Sequence, residues 1–172
     1  MTITLGSCTE RPARADIDPM LTAFSQGLQP RLKALDYPQL DIPFWVEDFW
    51  RHADEYLPPE GSTWIARNAA GLAVGWGTMR RIRPDTGEMK RLYFRPEARG
   101  HGIARRLVQA RIDDARTMGW RHILCDTTRN NIEMQMLYQS IGFRFTDPYP
   151  ESSTVTTDPT LAAAVVFMQL DL

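Results

Sequence analysis

The stretch ARGHGIARRL, residues 98–107, restricts the fold of this 172-residue chain more than any other. A β-favouring run ends near Arg95, Gly100 and Gly102 follow, and an apolar, arginine-rich helical pattern begins at once and runs to about Met118. A helix that starts so abruptly turns the N–H groups of its first turn outward, without carbonyl partners. Those donors and the helix dipole favour an anion by about 0.3–1 kcal/mol at the surface and ~2 kcal/mol when partly buried, and glycine lets a phosphate oxygen approach without meeting a Cβ. Spacing excludes two common phosphate loops. The dinucleotide fingerprint GxGxxG needs a glycine where Arg105 stands and an acidic residue about twenty positions on, and Asp126 comes too late. A P-loop needs Gly-Lys-Ser or Gly-Lys-Thr, and the sequence contains neither.

Periodicity and punctuation give the elements around this loop. A first helix starts at Asp18 or Pro19 and carries Met20, Leu21, Phe24, Leu28 and Leu32; a second has Pro43 in its first turn and carries Phe44, Trp45, Phe49 and Tyr56. TWIARN (63–68), AVGWGTMRRI (73–82) and EMKRLYFR (88–95), with turns at Gly71 and Gly87, predict a three-stranded antiparallel meander. The helix after the loop places Ala104, Leu107, Val108, Ile112 and Ala115 near one face, with Arg105, Arg106, Arg111, Asp113, Asp114 and Arg116 around the rest, and ends at Gly119. HILCDTT (122–128) reads as a strand, NNIEMQMLYQSIG (130–142) as a helix closed by Gly142, and FRFTD and AAVVFMQLDL as the last strands. A weakly marked strand is expected among residues 2–15. The fold class is α/β in the broad sense, an α+β mixed sheet with helices on its faces, in one domain spanning 1–172.

Composition narrows the function classes. At 43% hydrophobic residues a chain of this length buries roughly 70% of its unfolded surface. A net charge of -1 gives the whole molecule no pull toward nucleic acid or anionic membrane, so neither is expected as a partner. Cys8 and Cys125 form no CxxC pair, and His52, His101 and His122 have no ligand spacing, so no metal is expected. Residues 1–12 lack the basic start and apolar centre of a signal peptide, and no run approaches ~18 apolar residues; a cytoplasmic protein is the expectation. Between Met79 and Arg106, nine basic residues stand against three acidic ones. That patch suits either steering of a polyanionic ligand or a solvated surface, and no reading helix or aromatic stacking signature accompanies it.

These residues resemble the GCN5-related N-acetyltransferase (GNAT) family, whose central signature is Q/R-x-x-G-x-G/A after the fourth strand. Arg99, Gly102 and Ala104 occupy its three defined positions. EMKRLYFRPEARGHGIARRL (88–107) is similar to the family's strand-loop-helix core, and NNIEMQMLYQSIGF (130–143) to its later helix, although Met134 stands where alanine is usual. The resemblance implies a mostly antiparallel sheet with a splayed parallel central pair, a helical acceptor-side region over residues 1–60 and a cofactor-binding core over 62–172. It also implies acetyl-CoA as cosubstrate. The loop main chain through Arg99, Gly100, His101, Gly102, Ile103, Ala104 and Arg105 would then bind the pyrophosphate, Leu92 and Phe94 would hold the pantetheine arm by main-chain hydrogen bonds, and Asn131 would contact the cofactor.

Acyl transfer to an amine makes three demands. An amine of pKa near 10.4 is neutral in only about one molecule in 2,500 at pH 7, so a base or a water chain ending in one must take a proton. Glu88 is the first candidate, because in an uninterrupted strand it shares a face with Leu92 and Phe94; Asp126 is the second. The oxyanion needs a donor, which a main-chain N–H such as that of Phe94 supplies. The departing thiolate gains from a proton, and the resemblance assigns that donor to Tyr138. Cys125 reads as a small buried residue on a central strand.

The acceptor is expected to be a small-molecule amine or an amino acid, held between residues 18–58 and the 146–162 loop, whose DPYPESSTVTTDP segment reads as mobile. Trp45, Trp50, Tyr56 and Tyr149 suit either an acceptor cleft or the core. A non-catalytic acyl-CoA-binding regulatory module is the alternative to an enzyme, and the sequence leaves a homodimer open.

Overall fold

The structure, a computed structural model, describes residues 2–100 and 102–172; His101, one of the expected loop ligands, lies outside the described residues. The chain runs β1 (Ile3–Ser7), α1 (Arg14–Lys33), α2 (Ile42–Arg51), a 3-10 turn (Ala53–Tyr56), β2 (Gly61–Asn68), β3 (Ala73–Arg83) and β4 (Thr86–Phe94). A 3-10 turn (Pro96–Ala98) leads into α3 (Ile103–Thr117), β5 (His122–Thr128), α4 (Ile132–Gln139), β6 (Arg144–Thr146), α5 (Ser153–Thr157), a last 3-10 turn (Pro159–Ala164) and β7 (Val165–Asp171).

The strands form one sheet in the order β1-β2-β3-β4-β5-β7-β6. β4 and β5 pair in parallel and every other pair is antiparallel. One face of the sheet buries Trp76 and Ile65 against Ile17, Met20 and Leu21 of α1 and Phe49 of α2. The other buries Met79, Met89 and Ile123 against Val108 and Ile112 of α3 and Tyr138 of α4.

The second helix starts as its sequence dictates: Pro43 lies in the first turn, and the Asp41 side chain accepts a hydrogen bond from the Phe44 N–H at 3.0 Å. The first starts a turn earlier than expected and carries Pro19 inside it. Tertiary contacts hold that extra turn, because Ile17 is fully buried, Arg14 pairs with Glu47, and Asp16 pairs with Arg67 of β2. Such contacts outweigh the hydrogen bond that proline removes.

Candidate functional site

β4 and β5 are hydrogen-bonded neighbours only where Thr86–Met89 face His122–Cys125. Farther along, each keeps its antiparallel partner on the outer edge, β3 and β7, while the inner edges diverge around a gap. The Arg95 N–H donates to the Val74 carbonyl at 2.8 Å on the β3 side. With a period of two, the main-chain groups of Leu92 and Phe94 therefore point the other way, into the gap. The gap widens into a cleft of about 1320 Å³, open solvent-side space included, whose lining includes Leu92, Asn131 and Tyr138.

At one end of the gap lies the glycine loop. Gly100 and Gly102 have φ of +89° and +70°, and a Cβ on either would meet nothing within 4 Å. Glycine is needed there for the left-handed backbone, and the space beside it is open for a ligand to approach. Gly102 caps α3; the Ile103 N–H closes on the Gly100 carbonyl at 3.3 Å, and Arg106 donates to the Gly102 carbonyl at 3.1 Å. Ile103 is buried and Ala104 half-buried. Arg99 donates through Nε to the Phe94 carbonyl at 3.0 Å, and Arg105 through Nη2 to Ser140 Oγ at 2.6 Å, which ties the start of α3 to the end of α4. Asn131, at the start of α4, donates to Thr127 Oγ1 at 3.2 Å.

The face expected for Glu88 is corrected by a bulge. Gly77 stands opposite Leu92 but Thr78 stands opposite Lys90, so Arg91 is an extra residue in β4, with φ of 50°. An inserted residue inverts the alternation. Leu92 and Phe94 pack toward α3, whereas Glu88, Lys90 and Arg91 meet groups on the α1–α2 side. Glu88 is fully buried and does not line the cleft. Its carboxylate accepts from Arg80 Nε at 2.9 Å, from the Tyr149 hydroxyl at 2.9 Å and from the Ser153 N–H at 3.0 Å.

Asp126, on β5, does line the cleft. It accepts from Lys90 Nζ at 2.8 Å, from Ser152 Oγ at 2.9 Å and from Thr154 Oγ1 at 2.9 Å. Burial works against the Lys90 ammonium, but the charges of Asp126 and Glu88 win and its pKa is raised. Arg80 bridges Glu88 and Glu55, at 2.9 and 2.7 Å. The segment expected to be mobile thus carries the short helix α5, pinned at its start to both carboxylates. Of the basic patch, Arg80, Arg81, Arg83 and Lys90 are spent on ion pairs, and Arg99, Arg105 and Arg106 lie beside the loop.

Tyr138 is buried at the cleft wall, its ring tilted against Phe143 at 4.9 Å. Burial pushes its pKa above 10.0, and the charge of neighbouring Arg111 pulls part of that back. Arg111 is the residue the sequence pattern misplaced. It lies on the buried face of α3 and is 0% exposed, donating through Nη1 to the Thr78 carbonyl at 2.9 Å and to the Lys90 carbonyl at 3.3 Å. Its spacing of four from Leu107 and from Ala115 was the available signal. Cys125 is buried as expected, and burial raises its thiol pKa, so it is held neutral.

Away from the glycine loop the cleft is lined by Leu21, Phe24, Leu28 and Trp45 on one side and by Thr154 and Thr156 on another. Of the four aromatic candidates, Trp45 and Tyr56 face the cleft. Trp50 is core, donating to Asp18 at 2.6 Å, and Tyr149 is buried on Glu88. Among the described residues no cluster of metal-ligating side chains occurs, and no helix is long and apolar enough to cross a membrane.

A family model described as the acetyltransferase (GNAT) family matches residues 28–143. An uncharacterized N-acetyltransferase of Schizosaccharomyces pombe is 36% identical over 96 residues, 55% of this chain and 59% of that protein. The chain thus spans less than two thirds of that relative's length. Across its whole length the fold matches a GNAT-family acetyltransferase of Staphylococcus aureus, with a TM-score of 0.74 at 19% identity, covering 99% of each chain. It also matches the PaiA N-acetyltransferase of Thermoplasma acidophilum, solved in complex with coenzyme A, with a TM-score of 0.69 at 15% identity and 100% of each chain covered.

Proposed function

This chain belongs to the GNAT family of acetyltransferases, and on that premise we propose that it transfers an acetyl group from acetyl-CoA to the amine of a small molecule or amino acid by direct attack while both are bound. The observation that carries the reading is the gap between β4 and β5, which has outward-facing helix-start donors at one end and the Tyr138 hydroxyl in its wall. The open space beside Gly100 and Gly102 fits a diphosphate, and the inward edge of β4 at Leu92 and Phe94, where Arg99 already takes the Phe94 carbonyl, leaves main-chain groups for the amides of a pantetheine arm. Acetyl-CoA supplies the thioester; the chain's own groups do the rest.

The Phe94 N–H, turned into the gap, is the oxyanion donor, a preorganised dipole of the kind worth about 10²–10³ in rate. Tyr138 gives its proton to the departing thiolate, and Arg111 steadies the phenolate that remains. Asp126, at the cleft surface, receives the proton shed by the amine, directly or through water. Glu88, out of reach behind it, is a positioning residue that fixes Arg80 and the start of α5.

Two measurements test this. Acetyl-CoA at about 100 times its Kd adds roughly 2.7 kcal/mol of stability and should raise the Tm by about 5–10 °C. Free-thiol release is then followed with a panel of amines and amino acids. Release that depends on the amine supports the proposal. A raised Tm with no release for any amine makes the chain a binding module instead, and an unmoved Tm removes acetyl-CoA from the reading altogether.

A further inference from the structure

Besides its tyrosines, the cleft is lined by six acidic, basic or imidazole side chains: Asp48, His52, Arg80, Lys90, Arg91 and Asp126. Asp48 lies 3.8 Å from both Arg51 and His52, Arg80 holds Glu55 and Glu88, and Lys90 holds Asp126. Arg91 differs. Among the described residues its contacts are one hydrogen bond from Nη1 to the Tyr56 hydroxyl at 2.9 Å and the ring faces of Phe49 and Tyr56 at 5.0 and 5.3 Å. A guanidinium has five N–H donors in a planar fork. This one is seated against two aromatic rings, lines the cleft, and has no carboxylate within ion-pair distance among the described residues.

The backbone has been bent to put it there. Arg91 is the inserted residue of the β4 bulge, at φ of 50°, a region that side-chain-bearing residues rarely occupy and that clusters where a function depends on it. The insertion turns Lys90 and Arg91 to the same side of the sheet, yet only Lys90 is neutralised. Arg91 also immediately precedes Leu92, whose main chain faces the gap, and both residues line the same cleft.

We infer that Arg91 binds a carboxylate of the acceptor, and that the acceptor is a free α-amino acid with an apolar side chain; this rests on the transferase reading above. A single fork of charge +1 matches a carboxylate in number and geometry. The apolar frame follows from Leu21, Phe24, Leu28 and Trp45 on the cleft wall. In an α-amino acid the amine stands one carbon from the carboxylate, so a carboxylate held on the fork leaves the amine free to turn toward the gap.

The test compares kcat/KM for L-leucine and L-phenylalanine with that for each corresponding amide, in the native chain and in Arg91→Gln. The amide lacks the anion that holds an amino group protonated, so it is intrinsically the readier nucleophile. The native chain should nonetheless prefer the acids by about 100-fold, through KM, because an amide leaves the fork unpaired. In Arg91→Gln the ratio of acid to amide should fall to about 1. The ratio is taken within one preparation, so a partly folded variant does not distort it. Equal use of acid and amide by the native chain, or an unchanged ratio in the variant, overturns the inference while leaving the transferase intact. No transfer to any amine of the wider panel overturns both.

Discussion

Burial keeps the Tyr138 hydroxyl protonated, and in the proposed mechanism the guanidinium of Arg111 would let it give the proton up. As the thiolate leaves, its proton comes from a phenol whose conjugate base would be poorly stabilised in an apolar wall without a cation at hand. The two residues should therefore act as a unit. Tyr138→Phe should lower kcat by one to three orders of magnitude with little change in the affinity for acetyl-CoA. Arg111→Met should lower kcat about 10-fold in the native background and hardly at all in the Tyr138→Phe background, the non-additivity expected of groups in contact. The double-mutant cycle on kcat is the measurement. Additive effects would assign Arg111 to structure alone, as a cap on the carbonyls of Thr78 and Lys90.

Unlike α1 and α2, the short helix α5 at the cleft's edge is held by polar contacts more than by burial. No residue of α5 is buried, and four of its five residues, Ser153, Thr154, Thr156 and Thr157, are poor helix formers. It forms because Ser152, fully buried, caps it through the Val155 N–H while donating to Asp126, and because Glu88 accepts from the Ser153 N–H. Ser152→Ala should cost about 1 kcal/mol and speed hydrogen exchange at Ser153 and Val155 while the β5 amides stay protected. Unchanged exchange in α5 would show that something else holds it. The same contrast explains what could be read from the sequence. The glycine loop, α3 and the succession of elements along the chain are written in local signals: a glycine pair, a 3.6-residue apolar stripe and turn residues between β-favouring runs. The α5 helix was invisible because its support comes from carboxylates far away in the chain, and the facing of Glu88 could be read only for an uninterrupted strand because a bulge at an arginine leaves no mark in composition. Arg111 was assigned to the solvent side on its charge alone, although its spacing from Leu107 placed it inward.

For the whole molecule, the charged cluster under the cleft sets how stability depends on pH. Burial raises the pKa of Cys125 from 9.0 and those of Tyr138 and Tyr149 from 10.0, with Glu88 adding to the rise at Tyr149. Lys90 is raised from 10.5, because Asp126 and Glu88 outweigh its burial. For each of these groups the folded pKa exceeds the unfolded one, so in the interval between the two the unfolded chain binds fewer protons than the folded chain. Stability then falls as pH rises, by up to about 1.4 kcal/mol per pH unit for each group fully in its interval. The contributions are complete below the unfolded values and are lost above them, and all four share this sign. The Tm should therefore be nearly level from about pH 7 to 9 and drop steeply above about pH 10. Melts at matched ionic strength across pH 7–11.5 test this, and Tyr149→Phe, which removes one of the four groups, should melt lower at neutral pH but with a shallower alkaline slope. A Tm that holds level past pH 11 would mean that the cluster is hydrated and titrates freely, so that its burial would not set the alkaline limit of the fold.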